Sequence, residues 1–136
     1  EAWDGAPLER GTIYLAPGGP AHLEVQWSSA RKVRLIETPP VNRHRPSVDV
    51  AFHSVARGVG AGALGVLLTG MGRDGAEGLK AMRSAGARTI AQDRQSSTVY
   101  GMPRAALEIG AVDAGTPLNR IAAAIFSPEA AKQEAS

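Results

Sequence analysis

Leu64, Val66, Leu67 and Leu68 make an apolar run of strand length that stops at Thr69-Gly70, and from Asp74 the apolar positions recur with a helical period. Gly75, Gly78, Leu79 and Met82 fall at i, i+3, i+4 and i+7, with Glu77, Lys80 and Arg83 turned elsewhere. That spacing predicts a helix with one narrow packing face, whose two glycines let it approach a sheet closely. Gly86 stands where a helix C′ residue takes positive φ, and residues 89–91 give a second β-prone run ending at Gln92-Asp93. Strand, glycine loop, helix and strand make a β-α-β unit, parallel and right-handed by the general rule for such crossovers.

Upstream, residues 11–16 and 22–27 alternate as strands do, and the breakers of residues 17–21 (P-G-G-P-A) between them predict a hairpin. Residues 31–36 add a third short strand whose cations protect an edge. A stiff connection over residues 38–42 leads through His44-Arg45-Pro46-Ser47 into a helix with the apolar face Val48, Ala51, Phe52, Val55 and Val59. Asp49, His53 and Arg57 take the opposite face, as an exposed ion-pairing set rather than a metal site, for which no third ligand type is visible. Residues 96–99 read as another short strand. Pro103 opens a helix that Gly110 ends, and Thr116-Pro117 caps a last one with the face Leu118, Ile121, Ala122 and Ile125. Ser127-Pro128 stops it, and residues 127–136 read as a frayed tail.

These elements predict an α/β fold: a mostly parallel, doubly wound sheet with an antiparallel β-hairpin near the N-terminus. The chain is 136 residues long and 43% hydrophobic, enough for one domain and too short for two. It has no cysteine, which excludes disulfides and thiol chemistry and agrees with a cytoplasmic location. No apolar run approaches membrane-spanning length, so no membrane insertion is expected. A net charge of +2, with 4% aromatic residues and arginines spread along the chain, lacks the basic stripe and stacking rings of a nucleic-acid binder.

Two chemistries compete for the glycine loop. Gly70-x-Gly72-x-x-Gly75 fits the dinucleotide phosphate fingerprint, and Asp93 ends the next strand near the ~20-residue distance at which a ribose-binding acid belongs. Against this stands Asp74, a carboxylate among the N–H groups meant for a pyrophosphate. Like charges about 4 Å apart repel by about 4 kcal/mol at an effective dielectric of ~20. In the other reading Asp74 is the working group, kept ionised by backbone N–H groups at a helix N-terminus and able to orient a histidine, or it is simply an N-cap. No nicotinamide, flavin or other cofactor is called for on that reading.

The wording of four blocks bears on the choice. T-G-M-G-R-D-G-A-E-G (residues 69–78), V-N-R-H-R-P-S-V-D (41–49), A-Q-D (91–93) and V-Y-G-M-P-R-A-A (99–106) resemble the chemotaxis protein-glutamate methylesterase family of CheB type. The resemblance runs from about Asp4 to Ile125. It implies a serine esterase that removes methyl groups from methylated glutamates of chemoreceptors and, in some members, deamidates glutamines. The acid of its Ser-His-Asp triad matches Asp74. Met71 and Gly72, on the same loop, are placed to offer a backbone N–H or line the pocket. Arg43 and Arg45 make either a fork for receptor carboxylates or a solvated turn. The implied partners are the cytoplasmic domain of a methylated chemoreceptor and a response-regulator receiver domain upstream. The family's serine and histidine fall in blocks before Glu1. Residues 1–126 are therefore expected to be the C-terminal two-thirds of such a domain without its first β-α elements, inactive alone and prone to self-association.

Overall fold

The computed structural model describes residues 1–127; the tail read at 127–136 lies, apart from Ser127, outside them. The first pair of strands is β1 (His22–Gln26) and β2 (Lys32–Ile36), antiparallel, with His22 opposite Ile36 and Gln26 opposite Lys32. The hairpin is thus one segment further along than the alternation suggests, and residues 11–16 form no strand. Residues 27–31 make the turn, where the Arg31 guanidinium stacks 4.1 Å from the Trp27 ring centre. Residues 11–16 instead run beside the pair: the Ala2 N–H donates to the Leu15 carbonyl at 2.9 Å, and Tyr14 and Ala16 pack on buried Ala2, Ala6, Leu23 and Val33. An antiparallel hairpin near the N-terminus is present, with β2 as its arm instead of a third strand.

After α1 (Val48–Gly58) and a short 3-10 turn, Gly60–Gly62, comes the β-α-β unit: β3 (Leu64–Leu67), α2 (Ala76–Ser84) and β4 (Arg88–Ala91). β3 and β4 pair in parallel from Leu64–Arg88 to Leu67–Ala91. Single parallel bridges, Gly70 to Tyr100 and Gln92 to Thr116, bring two more segments alongside. Gly86 takes φ 94 just past α2, where its N–H and that of Ala87 close on the last-turn carbonyls of Arg83 and Met82.

Strand alternation sends the two sets of side chains to different layers. Leu67 and Ala91 join Ala76 and Leu79 of α2, with Ala106 of α3 (Met102–Glu108), in one cluster that Val48 and Phe52 of α1 complete. Ile90, with Leu64 and Val66, packs on Ile121 and Ala124 of α4 (Leu118–Phe126). Helices therefore cover both faces of the parallel strands, as in a doubly wound α/β fold. Gly65 permits the close seat of α2, since a Cβ there would lie 2.5 Å from Leu79 Cδ1.

Two smaller expectations are corrected. Residues 96–99 are not a strand, because the Asp93 carboxylate accepts from the Ser96 N–H and hydroxyl and bends the chain. The buried face of α4 is Ile121 and Ala124, while Leu118 and Ala122 are exposed, because Ile121 and Ala124 are the pair that meets Ile90.

Candidate active site

Asp74 follows the carboxyl end of β3, where ligands of open α/β sheets collect, and is 3% exposed. It does not cap its own helix: the N-cap of α2 is Gly75, at φ 93, where a Cβ would meet Leu67 and Val48. The carboxylate turns instead to the N-terminus of α1. Oδ2 accepts from the Val48 N–H at 2.7 Å, and Oδ1 accepts from the Asp49 N–H at 3.2 Å, the Ser47 hydroxyl at 2.7 Å and the Asn42 amide at 3.0 Å. Burial pushes the Asp74 carboxyl up, but the donors from Ser47, Asn42, Val48 and Asp49 outweigh it and hold the group below the ordinary carboxylate value. It is a buried, ionised acid, and among the described residues Oδ2 is bonded to a single donor, which leaves that oxygen a further lone pair.

The helical period puts Asp49 on the solvent face of α1 beside His53, yet it is 5% exposed. Its Oδ1 accepts from the Gly78 N–H in the first turn of α2 at 2.7 Å, and its Oδ2 accepts from the Asn42 amide at 2.6 Å. The reason is that α1 packs from two sides: Phe52 lies against α2, and Ser54 accepts from the Val25 N–H of β1 at 2.9 Å. Polar positions between those contacts are buried and must find partners.

Ser47, His22 and Asp74 meet in one buried cluster, yet they are not wired as a triad. His22 Nδ1 accepts from the Ser47 backbone N–H at 3.0 Å, and its Nε2 lies 2.9 Å from the Pro39 carbonyl, which requires the ring to donate there. The Ser47 hydroxyl gives its proton to Asp74 and not to a ring nitrogen. With His22 at 0% and Ser47 at 2% exposure, no ester could reach them. This cluster is a support for the carboxylate.

The loop in front of Asp74 is open. Met71 is 80% exposed, Arg73 is exposed, and Gly72 takes φ 90 with no atom within 4 Å of where a Cβ would stand. The loop base is sealed: Gly70 accepts from the Gly101 and Met102 N–H groups, and a Cβ on Gly101 would lie 2.7 Å from the Gly70 carbonyl. The residues of the dinucleotide alternative have other duties. Gly75 packs against Leu67 and Val48, Asp93 shapes its own turn, and the α2 N–H of Gly78 is taken by Asp49 and not, as the sequence suggests, by Asp74. Arg45 turns inward to the Thr38 carbonyl at 3.1 Å, and Arg43 and His44 stay exposed, so Arg43 and Arg45 do not form a fork.

Sequence reasoning misses Asn42, Ser47 and Asp49 as members of this cluster. Ser47, directly before an apolar helical run, carries an N-cap signature, and Asn42 precedes Arg43 in a turn where both take positive φ.

Comparison with known proteins bears on the family of the chain. The family model described as CheB methylesterase matches residues 1–125. A protein-glutamate methylesterase/protein-glutamine glutaminase of Rhizobium johnstonii is 58% identical over 134 residues, covering 98% of this chain and 39% of its own length. One from Caulobacter vibrioides is 55% identical over 133 residues, covering 98% of this chain and again 39% of its own. The chain thus spans about two-fifths of these relatives. The crystal structure of the Thermotoga maritima CheB methylesterase catalytic domain superposes with a TM-score of 0.83 at 33% identity, over 89% of this chain and 64% of that one. The dinucleotide alternative finds no support among these matches.

Proposed function

The chain belongs to the CheB methylesterase family, and from that premise we propose that it carries the acid of a Ser-His-Asp esterase site, Asp74, in a protein that hydrolyses glutamate γ-methyl esters and deamidates glutamines on chemoreceptors. The observation that carries this reading is the state of Asp74: ionised, buried, held by four donors and with one Oδ2 lone pair free of them. The relatives are named for both activities. Ser47 and His22 are not that serine and histidine, because their contact is wired for support.

In the reaction the serine Oγ attacks the ester carbonyl carbon as its proton passes to the histidine. The imidazolium then gives that proton to the leaving methoxide, methanol departs, and water attacks the acyl-serine by the same base, releasing the glutamate carboxylate and restoring the serine. With a glutamine, ammonia leaves in place of methanol. Asp74 touches neither ester nor amide: it holds the histidine tautomer and stabilises the imidazolium. Met71 and Gly72 lie in the open loop beside it and line the pocket or offer a backbone N–H to the developing oxyanion. Residues 1–126 act as the C-terminal part of the esterase domain.

The partner proposed is the cytoplasmic part of a methylated chemoreceptor, with a receiver domain in the same polypeptide as regulator and the cytoplasm as location. Among the described residues no helix is long and apolar enough to cross a membrane. The test is methanol release from methylated receptor by a polypeptide of the relatives' full length, with residues 1–136 assayed alongside. The longer chain is expected to turn over and residues 1–136 to release nothing. No release by the longer chain would refute the activity, and equal turnover by residues 1–136 would refute the site.

A further inference from the structure

Resting on that reading of Asp74, we propose that Asn42, Ser47 and Asp49 are positioning residues that fix the direction of the Asp74 lone pair offered to the histidine. A carboxylate can turn about its terminal torsion, which is broad and roughly two-fold. Here it cannot turn freely, because Oδ1 is held by three donors and Oδ2 by a fourth.

Asn42 is the residue that closes the arrangement. Its amide nitrogen has two hydrogens, and the two carboxylates use both, Asp49 Oδ2 at 2.6 Å and Asp74 Oδ1 at 3.0 Å. Its backbone takes φ 52 and that of Arg43 φ 65, in a turn closed by Val41 and His44, each donating its N–H to the other's carbonyl at 3.0 and 2.9 Å. At position 42 Asn, Asp and Gly take such a φ most readily, and the bridge needs an amide donor. Of the three, Asn meets both demands: Asp would bring a third carboxylate to the pair, and Gly would leave it without a bridge.

Ser47 fixes the other side. Its hydroxyl donates to Asp74 while its backbone N–H is anchored on His22, whose ring is anchored in turn on Pro39. The buried histidine thereby ties the approach to α1 to β1, and the carboxylate to both. Asp49 completes the set by holding the first turn of α2, the helix that the Asp74 loop enters.

The test uses the full-length protein, with methanol release from methylated receptor for Asn42→Gly, Asn42→Asp, Ser47→Ala, Ser47→Thr and Asp74→Asn, each rate normalised to the fraction folded by circular dichroism. Asn42→Gly keeps the turn, so it decides the matter should Ser47→Ala fail to fold. The expected result is a kcat loss approaching about 100-fold for Asn42→Gly, Asn42→Asp and Ser47→Ala with KM little changed, and recovery of most of it in Ser47→Thr, which restores the hydroxyl. If Asp74→Asn abolishes turnover while Asn42→Gly and Ser47→Ala keep wild-type kcat, the positioning role is wrong and the assignment of Asp74 stands. If Asp74→Asn itself keeps wild-type kcat, the assignment of Asp74 falls, and this inference with it.

Discussion

Asp49 and Asp74 exchange helix ends: Asp74, on the loop into α2, takes the first N–H groups of α1, and Asp49, in the first turn of α1, takes the Gly78 N–H of α2. Each carboxylate meets the positive end of the other's helix, an interaction worth roughly 0.5–2 kcal/mol for a capping side chain. The Asn42 amide stands between them and offsets their mutual repulsion. The exchange locks two helices together at the edge of the site, so packing and the placement of the acid are one arrangement.

The lock depends on how closely α1 and α2 approach. A Cβ on Gly78 would lie 2.6 Å from Phe52 Cβ and 3.0 Å from Asp49 Oδ1. Gly78→Ala would gain about 1 kcal/mol of helix propensity, but overpacking of a closed interface costs roughly 1–3 kcal/mol. Urea unfolding should therefore show a net loss of stability; a gain would mean that the helices can separate without penalty.

Acid should loosen the same lock. The folded-state value of Asp74 lies below its ordinary 3.8, so its contribution is fully present above that value and is lost as the pH falls through the lower folded value. Thermal stability of wild type should fall progressively as the pH drops below 3.8, whereas Asp74→Asn should be less stable at neutral pH and lose less on acidification. Parallel curves for the two proteins would contradict the assignment of the donors.

The loop should bind no nicotinamide dinucleotide. The Gly78 N–H is already bonded to Asp49, and Gly101 lies against the backbone of Gly70 and Gly72. Calorimetry with NAD should give no saturable heat; saturable binding that is lost in Gly72→Val would overturn this.

The β-α-β unit is legible in the sequence because its cues are local: an apolar run, a helical period with Gly75 and Gly78 on one face, and Gly86 at the C′ position. Alternation misplaces the hairpin because residues 11–16, 22–27 and 31–36 all alternate, and which two pair is decided by the turn at residues 27–31. The acid itself can be picked out, but its surroundings cannot. Ser47 reaches Asp74 across 27 positions and Asp49 reaches Gly78 across 29, so no local pattern announces either bond. Periodicity assigns Asp49 to the wrong face because it supposes one packing surface, whereas α1 meets α2 on one side and β1 on another.

The most direct test of the central claim is the turnover of methylated receptor by the full-length protein with Asp74→Asn, which keeps size and shape but removes the charge. Exchanging the acid of a serine-protease triad for its amide lowers kcat by about 10⁴-fold, because the histidine is then held in the wrong tautomer. A fall of that order in a folded protein is the result predicted here. Methanol release at the wild-type rate would show that Asp74 is only a helix cap.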